Sequence, residues 1–144
     1  MTTKISHDEF RNIEKFVEMI PYIPHNQVIE EQRRSHVLLL FINNTPNAKG
    51  VLTGKLFEYL ASGRPVLAVG PEDGDVAKVL AETGIGITVD FYGKEKIKSS
   101  LRSYYQKYKE NQLITKRSES VERFSRKNLA KEYVQLLNQT IVKD

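Results

Sequence analysis

The chain predicts an α/β domain: a parallel sheet of about four strands, helices on both of its faces, and a helical C-terminal tail. Three observations carry that expectation. Short apolar runs at Val37–Ile42, Val66–Val69 and Ile87–Val89 alternate with segments of helical periodicity. Glycine or proline punctuates the passages from helix to strand, at Gly63 to Pro65 and at Gly84 to Gly86. From Lys94 onward no strand signal survives, and apolar residues recur at helical spacing. Parallel neighbours need crossover connections, nearly always right-handed, and ligands in such a fold sit beyond the carboxyl ends of the strands.

Each element has its own justification. Ser6-x-x-Glu9 has the form of a capping box ahead of Phe10, Ile13 and Phe16 or Val17, which predicts a short first helix. From Val17 the apolar residues are separated only by Glu18 and Pro21, predicting a strand that ends near Pro21 to Pro24. His25 or Asn26 is placed to cap the next helix, to about Arg34. Val37 to Ile42 shows no alternation, as a strand covered on both faces requires, so this strand is expected at the centre of the sheet.

Residues 43–52 hold three Asn, a Pro and a Gly and form a loop into a helix that begins at Thr53. Ser62-Gly63-Arg64-Pro65 ends that helix, with Gly63 suited to a left-handed C-terminal residue, and Val66 to Val69 is the next strand. Asp73 or Asp75 is expected to cap a helix through Glu82, and Ile87 to Val89 supplies the fourth strand. Beyond it, Ile97, Leu101, Tyr104, Tyr105 and Tyr108 predict one helix. Val121, Phe124, Leu129, Tyr133, Leu136 and Leu137 predict others, the last starting at Ser125. The chain thus reads as a single Rossmann-like domain over 1–144, with an α/β core over 1–90 and a helical tail over 91–144.

Composition narrows the class. A domain of 144 residues buries roughly 70% of its unfolded surface, enough for a real core without staples. The absence of Cys excludes disulfides and thiolate metal sites, and a reducing cytoplasm fits better than a secreted compartment. The longest apolar run, Val37 to Ile42, is far below the ~20 residues that span a bilayer. Residues 1–90 hold 9 Lys/Arg against 12 Asp/Glu, whereas residues 91–144 hold 13 against 6, so the two parts carry −3 and +7. A basic helical tail can dock on phosphate-bearing surfaces. Here the cations alternate with Glu95, Glu110, Glu119, Glu122 and Glu132, which is the pattern of a solvated helix face, and no nucleic acid partner is expected.

The segment from Thr53 to Gly70 holds the densest candidate chemistry. On a wheel, Leu56, Phe57, Leu60 and Ala61 form one apolar face, while Lys55, Glu58 and Tyr59 point elsewhere. Gly54 frees the backbone at the helix start, so the first N–H groups can face an anion while Lys55 adds positive charge. The plain structural reading makes Lys55 and Glu58 an exposed i,i+3 pair. The functional reading places Glu58 where it accepts hydrogen bonds from ribose hydroxyls at a nucleotide-binding rim. Gly50-Val-Leu-Thr-Gly54-Lys55 is not a P-loop, since only three residues separate the glycines and Leu56 replaces the Ser or Thr. Asp73-Gly-Asp75 has an Asp-x-Asp form that holds a metal elsewhere, but at a helix start capping is the simpler role. His7, His25 and His36 have no metal-site spacing, and no hydrolase triad is apparent.

Thr53-Gly-Lys-Leu-Phe-Glu-Tyr-Leu-Ala-Ser-Gly-Arg-Pro-Val-Leu resembles the signature segment of nucleotide-sugar-dependent glycosyltransferases with two Rossmann-like domains, the GT-B architecture. Tyr22-Ile-Pro-His-Asn26, the His36 to Ile42 strand, the Gly70 loop, Gly84-Ile-Gly86 and the closing Phe124-Ser125 helix fall in the order of that family's C-terminal, donor-binding domain. By this resemblance Glu58 matches the second Glu of a Glu-x7-Glu motif, which binds the donor ribose. The first Glu falls at position 50, where this chain has Gly50, so the contact with the donor sugar departs from the pattern. Thr53, Gly54 and Lys55 then face the diphosphate, and Tyr22, Ile23 and Pro24 lie against the base, with Ile23 acting through its backbone.

The resemblance further implies a nucleoside-diphosphate sugar as donor substrate, no other cofactor and no bound metal, with transfer to a glycan or lipid-linked acceptor in bacterial polysaccharide biosynthesis. It implies a missing N-terminal acceptor-binding domain and a missing first βαβ portion, so this segment alone is expected to be inactive, and it assigns no catalytic residue here. The expected location is cytoplasmic, with peripheral contact on the anionic inner membrane face. The alternative is a non-catalytic, flavodoxin-like interaction module whose basic tail docks on anionic partners.

Overall fold

The computed structural model of the chain describes residues 13–113 and 119–141. Three strands, β1 (Leu38–Phe41), β2 (Val66–Val69) and β3 (Gly86–Val89), form a parallel sheet in the order β1-β2-β3. The register aligns Leu38 with Val66 and Val66 with Gly86. Helix α1 (His25–Arg34) precedes β1, α2 (Gly54–Ser62) joins β1 to β2, and α3 (Asp75–Thr83) joins β2 to β3. After the sheet come α4 (Lys94–Lys109), α5 (Glu119–Arg123) and α6 (Arg126–Ile141).

Two successive crossovers of one hand place α2 and α3 on the same face of the sheet. Leu56 and Leu60 of α2 and Val76, Val79 and Leu80 of α3 meet Leu40, Val66 and Ala68 there in one core, which Val121 of α5 completes. α1 packs beside α2 in this layer. α4 serves the other face, reaching the sheet through the Tyr104 hydroxyl, which donates to the Val66 carbonyl at 3.3 Å. The α/β class, the parallel sheet, the helices on both faces and the helical tail are therefore as expected.

Local chemistry explains the element ends. Thr53 caps α2, accepting from the Leu56 amide at 3.4 Å. Gly63 terminates it at φ 72°, a left-handed value that disfavours any residue with a Cβ. The Ser62 hydroxyl donates to the Tyr59 carbonyl and accepts from the Arg64 amide, so the turn into β2 is closed by its own side chain. Ser125 heads α6 by accepting from the Asn128 amide.

Other expectations are corrected or fall outside the described residues. The sheet has three strands among the described residues, because residues 17–24 find no neighbouring strand to pair with and stay irregular, with Val17, Met19, Ile20 and Tyr22 exposed. The first helix lies mostly outside the described residues, and only a single 3-10 turn, Glu14–Phe16, follows Ile13. β1 is an edge strand and β2 is central: Val66, Leu67 and Ala68 are fully buried, whereas β1 alternates. Finally, Gly74 occupies the cap of α3 with no side-chain hydrogen bond, because Asp75 turns to Lys78 and Asp73 turns to Lys49.

Candidate functional site

A parallel sheet directs the carboxyl ends of all its strands to one rim, and the helices that run antiparallel to those strands open their N-termini at the same rim. α1, α2 and α3 all do so. β1 leaves through Ile42 into residues 43–53, where a 3-10 turn, Ala48–Gly50, is pinned by the buried Ala48 and seats against the start of α3.

At the head of α2 the first amides, those of Gly54 and Lys55, have no acceptor within their own helix. No packing demands glycine at position 54: a Cβ there would meet nothing within 4 Å, and φ is not positive. What the glycine leaves is open approach to those amides. Lys55 is exposed and makes no ion pair with Glu58. Glu58, one turn on and half-buried, instead accepts from Gln32 Nε2 of α1 at 3.3 Å, and Gln32 is itself buried. Burial raises the phenol pKa of the neighbouring Tyr59, and the charge of Glu58 raises it further.

Tyr22, Ile23 and Pro24 lead into α1 at this same end. Pro24 is the cap residue, its carbonyl accepting from Gln27 and Val28, while Ile23 is half-buried and the Tyr22 ring is 97% exposed. α1 and α2 lie side by side, joined by the hydrogen bond from Gln32, near the carboxyl end of α1, to Glu58.

An adjacent cleft of about 520 Å³ opens over the ends of β1, β2 and β3. Its walls come from the loops at Asn44 to Lys49 and Pro71 to Asp73, with Asp90 and Phe91; Thr53, Gly54, Lys55 and Glu58 stand outside this lining. Two ion pairs strap it, Lys49 to Asp73 and Lys96 to Glu72, each at 2.6 Å. The hydrogen bond from Lys96 lowers the Glu72 carboxyl pKa, and that from Lys49 lowers the Asp73 carboxyl. Asp90 Oδ1 accepts from the Tyr92 amide at 2.9 Å. Lys49, Glu72 and Asp90 carry no motif in the sequence; their one signal is that they stand in the segments that follow apolar strands.

A second cleft, about 410 Å³, lies at the opposite end between α4 and the start of β3, bordered by Tyr104 and Lys107 and remote from the helix N-termini. Among the described residues, no three His, Asp or Glu side chains gather in a metal-binding group. No helix there is long and apolar enough to cross a membrane.

Comparison with known proteins returned no match, whether to a protein-family model, a curated protein or a solved structure.

Proposed function

We propose that the chain is the donor-nucleotide-binding portion of a nucleotide-sugar-dependent glycosyltransferase with the GT-B architecture. The observation that supports this reading is a Glu58 carboxylate held by Gln32, one turn behind the open α2 amides and the exposed Lys55. In this reading the diphosphate lies on the amides of Gly54 and Lys55, where the helix dipole and the Lys55 ammonium favour negative charge. Glu58 accepts from the ribose hydroxyls, and the base rests on Tyr22 to Pro24, contacting the Ile23 backbone.

Such a site contributes by orienting the donor and stabilising the leaving diphosphate. Gly50 has no side chain to meet the donor sugar, and the cleft beside it is where that sugar extends. The acceptor comes from an N-terminal domain, so nucleotide binding, not turnover, is the activity of these residues alone. Exposed cations of the tail support peripheral contact with an anionic cytoplasmic membrane surface.

Saturation-transfer NMR with UDP, GDP and their sugars tests the proposal. Binding of one base series, weakened about tenfold or more by Glu58→Ala through the loss of a charge-assisted hydrogen bond, is expected. Absence of binding to any of them, or indifference to the substitution, refutes it.

A further inference from the structure

The sheltered face of α1 carries Val28, Ile29 and Gln32, and the last of these is an amide among apolar neighbours. Gln32 is one of two buried polar side chains among the described residues, the other being Thr83. Thr83 satisfies its hydroxyl within its own helix, donating to the Val79 carbonyl at 2.8 Å. Gln32 instead reaches another helix, its Nε2 donating to Glu58 Oε2 at 3.3 Å. Packing alone does not call for an amide here, since Met or Leu is of similar size and a buried amide costs free energy unless it is hydrogen-bonded. What the amide adds is a hold on Glu58.

That hold has a direction. A helical side chain leans toward the N-terminus of its helix, and Gly54 and Glu58 share a face at i and i+4, so Glu58 leans toward the Gly54 turn. A Cβ at Gly54 would meet nothing within 4 Å, which leaves open the space between the carboxylate and the first α2 amides. One helical turn, about 5.4 Å, separates the two along the axis. The hold also preserves charge. Gln32 is neutral, so it fixes one oxygen without cancelling the carboxylate, and Oε1 accepts from no other group among the described residues. An Arg or Lys at this position would neutralise it. Glu58 thus presents an oriented, charged acceptor that two adjacent hydroxyl donors can satisfy.

We propose that Gln32 is the positioning residue through which the site selects ribose over deoxyribose nucleotides: by holding Oε2, it aims the remaining acceptor sites of Glu58 at vicinal 2′ and 3′ hydroxyls. This rests on the nucleotide-binding reading and goes beyond it, because specificity is assigned to an α1 residue that does not touch the ligand. A ligand with both hydroxyls satisfies the carboxylate, whereas one without them desolvates it and returns no hydrogen bond. Without the amide, Glu58 regains rotamer freedom and must be ordered each time ribose binds, which weakens that binding alone.

NMR titration of the full chain with UDP or GDP and with their 2′,3′-dideoxy counterparts tests this. The unsubstituted chain is expected to bind the ribose form about tenfold more tightly. Its Gln32 side-chain amide resonance shifts with the ribose form only. Gln32→Met should cut the preference about fivefold, leave the affinity for the dideoxy form unchanged, and add nothing to Glu58→Ala. A loss shared equally by both forms marks a packing role and overturns the proposal, as does a preference that survives Gln32→Met. The amide resonance needs no variant, so if thermal melts show Gln32→Met unfolded, an unmoved Gln32 amide in the ribose complex overturns it as well. Equal binding of both forms by the unsubstituted chain refutes this inference while leaving a diphosphate site. Binding of neither form refutes the nucleotide reading itself, and this inference with it.

Discussion

Thr88 on β3 aligns with Ala68 on the core side of the sheet, and its Oγ1 is buried with no hydrogen-bond partner among the described residues. A hydroxyl desolvated without compensation costs about 1–3 kcal/mol, and a methyl in its place gains roughly 0.8 kcal/mol of transfer free energy. Thr88 as a whole is only half-buried, so the lower part of that range applies. Thr88→Val keeps the shape and the β-branch, and the expected result is a stabilisation of about 1–2 kcal/mol. Urea denaturation reads this as a higher midpoint at constant m, and a thermal melt reads it as a rise of roughly 3–8 °C. Thr88→Ala, which removes the hydroxyl without supplying the methyl, should fall below the Val variant. A midpoint for Thr88→Val equal to or below that of the unsubstituted chain refutes the reasoning, because the hydroxyl must then have a partner.

Leu60 is 1% exposed in the core between α2 and the sheet, so Leu60→Ala should cost about 2–5 kcal/mol by chemical denaturation. Gly86 begins β3 where a Cβ would stand 2.1 Å from the Val66 carbonyl oxygen, a backbone atom held in the ladder. Gly86→Ala should therefore cost more than about 3 kcal/mol or abolish the cooperative transition, read by circular dichroism. Glu72 and Asp73 have depressed carboxyl pKa values, caused first by Lys96 and Lys49 respectively. As pH falls, the unfolded chain takes up their protons before the folded chain does, so their contribution is complete above about pH 5 and is lost below it. Lys49→Met should flatten that acid limb, and added salt should do the same because both pairs are exposed.

Where order in space follows order in sequence, the fold was legible. The α2–β2 unit is the clearest case: a cap at Thr53, an apolar face ending at Leu60, a glycine able to take φ 72° and a proline before Val66 all point to one structure. The run Val37 to Ile42 misled because an unbroken apolar strand implies two covered faces, yet α4 crosses the sheet diagonally and leaves half of one face bare. That path is a tertiary property with no local periodicity. Residues 17–24 have strand composition but no neighbour, and a strand is defined by its partner. Of the site, Glu58 and the Gly54 amides could be placed by the helix signal alone, whereas the Gln32 that holds Glu58 lies 26 residues away, and the Lys49–Asp73 pair joins two loops 24 residues apart. Nothing in loop composition encodes such pairings.

The central claim is that the rim formed by α1 and α2 binds a nucleoside diphosphate. Amide chemical-shift mapping during titration with UDP or GDP tests it most directly, since it reports position as well as affinity. Saturable shifts should centre on Ile23, Gly54 and Lys55, extend to the Lys49–Gly50 turn, and diminish at equal ligand concentration in Glu58→Gln. Shifts confined to the opposite end, around Tyr104 and Lys107, or no shifts for either nucleotide, contradict the account.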